Sequence, residues 1–528
     1  MTNINHTKSK LTLNRGTLQL KLNLNYEYEL MDDGKVSLVQ NIVERIDSKK
    51  LTSLYSKKGR KPIIDPITML EILIFCYSEK IFSSRDIEKM CKYDLRVKYL
   101  LDDQKAPDHV TINRFRHQLE PIIEELLFDF SNILLDTKHV DLSSIYIDGT
   151  KIEAYANKYT FVWKKSILKF QEKLRNKICK EFNLDKDISL VESMKVLNSN
   201  INALIDESKD IVFVYGAGKR KTLVQKKLEL YQDWKNKLSK YEQDLKIMGE
   251  RNSYSKTDHD ATFMRMKDDH MKNGQLKPGY NIQFASSGQF IVGVYGSHHP
   301  SDMHTLPLFL DKIMPTYKYR LDKIVCDSGY ESIENYIYLK KHKLKAFIKP
   351  ANYERSKTRK YKKDISKYEN MVYDKENDFY LCANNKKLIR QKDQIRNRAS
   401  GISEKLRVYR CIECDKCPLS KECQKHSKKD NPQTKTIKYS DSFDRLRKES
   451  FENITSYEGI IERLNRSIQA EGMFSKLKEG LNYTRFRHRG LRSIICDITL
   501  AAMGLNLNEL NRKLQKNISQ VIKYKHVS

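Results

Sequence analysis

Two short runs of strand-forming residues each end on an aspartate that a turn follows at once, and this pairing restricts the fold more than any other feature of the chain. Ser143-Ser144-Ile145-Tyr146-Ile147 reads as a strand that delivers Asp148 before Gly149, and Lys323-Ile324-Val325-Cys326 as a buried strand that delivers Asp327 before Ser328-Gly329. A third acid, Glu471, lies in a helical pattern whose core-facing stripe is read as Ile461, Leu464, Ile468, Phe474 and Leu477, and its spacing points it the same way. A carboxylate drawn into a core needs a cation or hydrogen-bond donors to offset desolvation, so the three together predict a divalent-metal site suited to phosphodiester chemistry. The plainer alternatives are a turn at Asp148-Gly149, a cap at Asp327, and an internal ion pair between Glu471 and Lys478 or an arginine.

The elements between these acids order themselves into a sheet. Tyr280 to Ala285 and Phe290 to Tyr295 read as a hairpin joined by Ser286-Ser287-Gly288-Gln289. Asp302 is expected to cap a helix through Leu306, Leu308 and Phe309; then come the Asp327 strand, a helix from Ile333 to Lys341, and the strand Lys345-Ala346-Phe347-Ile348. That order predicts the α/β class, with a mixed sheet whose first and fourth strands carry the aspartates.

Around the sheet the periodicity is helical. Asp65-Pro66 caps and opens Ile67 to Lys80, Ser83 and Ser84 open a second helix, and a third begins near Thr111 with Arg114, Arg116 and His117. A helix-turn-helix-like DNA reader and an ordinary bundle with solvated charges both fit this region. From Trp163 to Met248, the residues Val224, Leu228, Tyr231, Trp234, Leu238, Tyr241, Leu245 and Met248 form a coiled-coil or helical-hairpin seam ending at Gly249. Gly216 to Thr222 imitates a phosphate-binding loop, but Phe213 replaces the leading glycine and Arg220 the magnesium-binding hydroxyl, so a basic turn is expected there.

Charge narrows the partners. Ninety-eight Lys and Arg against 68 Asp and Glu leave a formal +30 over 528 residues, which favours nucleic acid, although solubility alone also uses such a surplus. The best apolar runs, Ile67 to Tyr77 and Ile494 to Leu507, are short and broken by Glu71 and Asp497, and the start lacks an export signal, so neither membrane nor secretion is expected.

Of ten cysteines, four lie as Cys411-x2-Cys414-x2-Cys417-x5-Cys423, with Cys382 upstream and His426 just beyond. This is the spacing of thiolate zinc ligands; an iron-sulfur cluster or a reduced, metal-free set are the alternatives. Strand-like pieces at Val372-Tyr373 and Phe379-Tyr380-Leu381 make the region a small zinc-ribbon-like insertion, while Cys76, Cys91, Cys179, Cys326 and Cys496 are expected to pack as small apolar residues.

Four stretches carry a family likeness: Tyr146 through Ala154, Phe263 through Asp268, Cys326 through Tyr330, and Arg466 through Lys478. With them the chain resembles bacterial insertion-sequence transposases of the DDE type, from about Lys61 to Leu510. The resemblance implies a ribonuclease H-like catalytic domain in which Asp148, Asp327 and Glu471 are the three catalytic acids and hold Mg²⁺ or Mn²⁺, with Lys478 contacting phosphate. In the related signature Tyr-x2-Arg-x3-Glu-x6-Lys, Lys478 keeps its place, but Leu464 and Ser467 occupy the Tyr and Arg places, leaving Arg466 or Arg463 to substitute. Asp258 and Asp260 rank second as the first acid, and the cluster His298, His299, Asp302 and His304 is not expected to bind metal.

The same resemblance implies double-stranded DNA as partner, namely terminal inverted repeats and target, handled by a cytoplasmic, nucleoid-associated homodimer for which the helical seam offers a surface. Arg485, Arg487, His488, Arg489 and Arg492, interleaved with Tyr483 and Phe486, are expected to lie along DNA together with Arg114, Arg116, Arg466 and the run Arg355 to Lys363. Two other functions are carried: a metal-dependent nuclease on the same fold, and a catalytically inactive, zinc-containing DNA-binding regulator. The expected organisation is an N-terminal helical domain (1–140), the first catalytic strand (141–154), a helical insertion (155–256), the catalytic core (257–350), the Cys-rich insertion (351–455), catalytic C-terminal helices (456–510) and a basic tail (511–528).

Overall fold

The computed structural model describes residues 34–55, 62–102, 104–185, 188–216, 219–266, 274–398, 400–414, 417–425 and 434–516. His426, Lys267 and Asp268, Ala217 and Gly218 of the basic turn, and the tail past 516 lie outside the described residues.

The fold is mixed α/β. Its main sheet is built on β1 (Ser144–Glu153), the first of the described strands; β2 (Phe161–Trp163) and β3 (Ser253–Ser255) form a separate ribbon. The sheet continues with β4 (Thr262–Arg265), β5 (Leu276–Ser287), β6 (Phe290–Ser297), β7 (Lys323–Cys326) and β8 (Lys345–Ile348). β1 is central, antiparallel to β5 on one side and parallel to β7 on the other; β8 follows β7, while β4 and β6 both pair with β5. The expected strand order is therefore present, with β4 as an addition. The β5–β6 turn places Gly288 (φ 61°) and Gln289 (φ 69°) in the left-handed region, the conformation whose twist matches a two-residue hairpin.

Alternation along β1 separates two cores. Ile145 and Ile147 join Ile324, Cys326 and Ile348 in the large core, whereas Tyr146 packs with Val325, Phe347 and Ala470 on the other face. The large core also takes in the N-terminal helices and the long helix Leu491–Gln515, so these share one interior with the sheet. Asp65 caps Pro66–Ser78 through the Ile67 N–H at 2.7 Å, as expected. That helix crosses Leu491–Gln515 so closely that a Cβ on Gly504 would stand 2.8 Å from the Ser78 nitrogen. Asp497, one of the two residues that break the apolar runs, is buried there and accepts hydrogen bonds from the Tyr77 and Tyr483 hydroxyls. Among the described residues no helix is long and apolar enough to cross a membrane.

The helical seam is real but already covered. Leu228, Tyr231, Trp234 and Leu238 of Leu223–Met248 pack against Leu174 and Ile178 of Lys164–Glu181 and Leu197 and Ile201 of Leu190–Glu207. These three helices satisfy the apolar stripe within one chain, which corrects its expected use as a dimer surface. Gly249 closes the last helix at φ 57°.

The Cys-rich region is larger than a ribbon. β9 (Val372–Asp374), β10 (Phe379–Leu381), β11 (Lys387–Asn397), β12 (Ser403–Cys411) and β13 (Thr436–Tyr439) form a five-stranded antiparallel meander around Tyr380, Leu388 and Tyr409. The chain then returns through Asp441–Thr455 onto β8, where the Ser450 side chain bonds the Ile348 backbone, and enters Tyr457–Arg466.

Candidate active site

Parallel pairing sets Ile147 opposite Cys326, so the residues that follow, Asp148 and Asp327, stand side by side about one strand spacing (~4.8 Å) apart. Asp327 lies just past the end of β7, whereas β1 runs on through Gly149 to Glu153, which corrects the turn expected after Asp148. Asp148 is only 8% exposed, and its Oδ1 accepts the Gly149 N–H at 2.9 Å. Asp327 is half-buried and accepts the Gly329 N–H at 2.8 Å, so the cap reading holds. Behind them, the Tyr330 hydroxyl and Cys326 thiol are pushed well up by burial, and the charges of Asp302, Asp148 and Asp327 add to both shifts.

Asp302 is the participant that sequence reasoning misplaced. Ser301, not Asp302, supplies the side-chain cap of the short turn Asp302–His304. The Asp302 Oδ1 instead accepts from Asn281 Nδ2 at 2.7 Å and Gln283 Nε2 at 2.8 Å, while the buried Tyr330 hydroxyl donates to Gln283 Oε1. Gln283 is the register partner of Gly149, so this network lies on the face of the sheet opposite Asp148. A Cβ on Gly149 would meet Gln283 Nε2 at 2.3 Å and Asp302 Oδ1 at 2.6 Å; one on Gly329 would stand 3.0 Å from Asp327 Oδ1 and 3.5 Å from Asp302 Oδ2. Gly149, inside β1, is thus required by the close approach of the Gln283 amide and the Asp302 carboxylate, whereas at Gly329 only Asp327's own carboxylate stands tight.

The third acid comes from a helix laid across the Asp148 face. At its start Glu462 accepts from the Ser144 hydroxyl at 2.8 Å and from the Tyr146 hydroxyl. Further on, Phe474 stacks on Phe284, the register partner of Asp148, with ring centroids 4.8 Å apart. Between these pins the helix widens into π turns at Ser467–Glu471 and again at Lys476–Gly480. The buried face is Glu462, Asn465, Gln469, Ala470, Met473, Phe474 and Leu477, so Phe474 and Leu477 of the expected stripe are buried, while Leu464 and Ile468 are exposed and are corrected. The cause is twofold: the groove is partly polar, and the π turns break the regular helical period.

Glu471 therefore points outward, with its side chain 56% exposed, and binds Arg466 Nη2 at 2.5 Å. The pair is separated by five residues, the π-helical repeat, where the family signature has four. Arg463, the other candidate, donates to the Tyr353 hydroxyl at 3.0 Å instead. The Arg466 charge also reaches the Cys326 thiol, opposing the upward push of burial, which ties the Glu471 helix to the strand of Asp327. Lys478 is half-buried in the second π turn.

The rival acids have structural work. Asp258 is buried and accepts from the Tyr280 hydroxyl at 2.8 Å and the Gly490 N–H at 3.3 Å, and Asp260 accepts the Leu491 N–H at 2.8 Å, so both tie their loop to the start of the last helix. Burial raises the Asp258 carboxyl, the largest influence on it.

The basic candidates divide. Arg114 is exposed, but Arg116 is 5% exposed and bonds the Phe82 carbonyl at 2.5 Å, so it lines a cleft rather than an open helix face. Arg485 and Arg489 are exposed yet anchored, donating to the carbonyls of Ala154 and Tyr155, and Arg487 lies over the Phe82 ring. Tyr483 and Phe486 are buried, which corrects the expectation that they lie along DNA and pack on its bases or sugars.

In the Cys-rich sheet, Cys382 joins Cys411, Cys414, Cys417 and Cys423 around one pocket. The Lys435 N–H points at Cys414 Sγ (3.3 Å) and Asn384 Nδ2 at Cys417 Sγ (3.5 Å). Burial and hydrogen bonding with Cys414 push the Cys411 thiol up to about 12. Among the described residues, however, no three His, Cys, Asp or Glu side chains stand ready as a formed metal-binding group, at the thiols or at the acids.

Comparison with known families gives two matches. Residues 381–511 match the family described as Transposase DDE domain, and residues 26–118 match Transposase domain (DUF772). The first match contains Glu471, Lys478 and the five clustered cysteines; the second contains Arg114 and Arg116, while Asp148 and Asp327 lie outside both. No curated protein and no solved structure matches the chain.

Proposed function

From a chain that two transposase matches support as a DDE-type insertion-sequence transposase, we propose that Asp148, Asp327 and Glu471 are its catalytic acids. On this reading the fold around them is ribonuclease H-like, and the protein cleaves DNA at the ends of a mobile element and joins the freed 3′ end to target DNA. The observation that carries it is the register of β1 and β7, which sets two carboxylates side by side on the face crossed by the Glu471 helix. Mg²⁺ or Mn²⁺ held there would activate the attacking oxygen and stabilise the leaving one.

The chain's own parts are a fixed pair and a movable third. Asp148 supplies oxygens from the middle of β1 and Asp327 from the end of β7, and Glu471 reaches the site by releasing Arg466, which is then left facing the phosphate. Terminal inverted repeats are the DNA bound, two ends being paired by two copies of the chain through a surface other than the covered seam. Five thiols around one pocket support Zn²⁺ in the Cys-rich sheet, a reading checked by metal content of the purified protein before and after chelation.

The test is incubation of purified protein with labelled element-end DNA and Mg²⁺, alone and with a second duplex. Strand cleavage and joining are expected for the natural chain; Asp327→Ala abolishes both while DNA binding persists. Cutting without joining favours a nuclease, and binding without any nick favours a regulator; either result defeats the transposase reading.

A further inference from the structure

A second cleft, sharing no residue with the acids, opens where the N-terminal helices meet the loop that follows the Glu471 helix. Its volume is about 310 Å³, and its lining includes Ser84, Arg85, Asn113, Arg116, Arg487 and His488 and no carboxylate. A concave surface that gathers three arginines with no carboxylate in its lining suits an anion.

The geometry is preorganised. One wall is the N-terminus of the helix Ser84–Tyr93, whose cap residue Ser83 makes no side-chain cap bond; the Asp86 N–H bonds the Ser83 carbonyl, which leaves the Ser84 and Arg85 N–H groups for a ligand. Arg116 is buried beside it, giving Nη1 to the Ser84 hydroxyl at 3.1 Å and Nη2 to the Phe82 carbonyl, while its buried Nε has no partner. Burial opposes its charge, but the Tyr77 hydroxyl and Asp497 on the protein side outweigh it together with their neighbours and favour the charged guanidinium. Arg487 is held over the rings of Phe82 and Tyr483, 4.8 and 5.7 Å from their centroids, which fixes its planar head at the mouth.

We propose that this cleft binds a phosphodiester of the DNA strand, as an anchor separate from the acids. A phosphate accepts from guanidinium forks and helix N–H groups together, which no single carboxylate-sized contact here would exploit as fully. The inference rests on the DNA-transposase reading for its ligand's source, and it links the N-terminal helices to the segment that follows the Glu471 helix through one shared anion.

The experiment reads DNA affinity by fluorescence anisotropy across a KCl series, using a labelled duplex, for the natural chain and for the double variant Arg85→Gln, Arg487→Gln. Both side chains are exposed, so the variant should fold. The exposed Lys240→Gln on the helical insertion controls for loss of charge alone. Loss of one phosphate contact should weaken binding roughly tenfold and reduce the slope of log affinity against log salt by about 1, with the control unchanged. A parallel arm compares thermal stability in inorganic phosphate and in chloride at equal ionic strength.

Unchanged affinity and slope in the double variant, with the natural chain binding DNA normally, overturn the cleft's role and leave the transposase reading intact. If the natural chain binds no DNA but gains phosphate stabilisation that the variant lacks, the transposase reading fails and so does DNA as the source, leaving a free phosphate site. If neither response is seen, both fall.

Discussion

The two aspartates and the glutamate of the candidate site are held by different means, and the difference concerns how a fold fixes a side chain. Asp148 and Asp327 are set by sheet register, where a shift of one residue would turn each to the other face. Their backbone is further confined by Asp302, Gln283 and the glycines packed against them. Glu471 rides on a helix pinned by Glu462 and Phe474 but widened between them, with its carboxylate in solvent and an arginine as its partner. A strand pair gives position; a π turn gives room to move.

The comparison is broken most severely at the fixed half. Asp148→Asn keeps the shape of the buried side chain but removes its charge, so DNA cleavage should fall by at least about 10³-fold in Mg²⁺ while the thermal midpoint holds or rises. If gel assays find most of the activity retained, the rigid pair is not catalytic. Gly149→Ala comes next. The added carbon must displace the Gln283 amide and the Asp302 carboxylate from a buried network, which should cost about 1–3 kcal/mol by denaturant unfolding and roughly 10- to 100-fold in cleavage. Asp302→Asn is milder. It preserves the volume beneath both glycines but turns one acceptor into a donor facing Asn281 and Gln283, so a loss of about tenfold in cleavage is expected without loss of DNA binding.

How far the site was legible in the sequence follows the same division. β-Branched runs ending at Asp148 and Asp327 are local signals, and Ile333–Lys341 and Lys345–Ile348 lie where periodicity and turn chemistry place them. The Gly288-Gln289 hairpin is equally local. The Glu471 helix is not, because its stripe was read with an α-helical period that two π turns interrupt, and its buried face includes the polar Glu462, Asn465 and Gln469. Asp302 was invisible for another reason: its partners are on a hairpin some twenty residues upstream, and nothing about a Ser-Asp step before a helix announces them. Arg116 looked like a DNA contact from its helix alone; packing against the distant Asp497 region turned it inward.

The movable half is sharpened by Arg466→Gln, the smallest effect of the set. If Glu471 must leave Arg466 before it can join the two aspartates, the ion pair competes with the metal for its carboxylate. An exposed pair of this kind is worth little to stability, so the variant should unfold at the same denaturant concentration as the natural chain. The Mg²⁺ concentration for half-maximal cleavage should fall by roughly 2- to 5-fold, as expected when a competing partner worth about 0.4–1 kcal/mol is removed. The maximal rate at saturating Mg²⁺ should fall modestly if the freed guanidinium also faces the phosphate, which separates its two roles in one titration. A higher Mg²⁺ requirement would mean that Arg466 positions Glu471 for the metal rather than withholding it, and the third acid would then belong with the fixed pair.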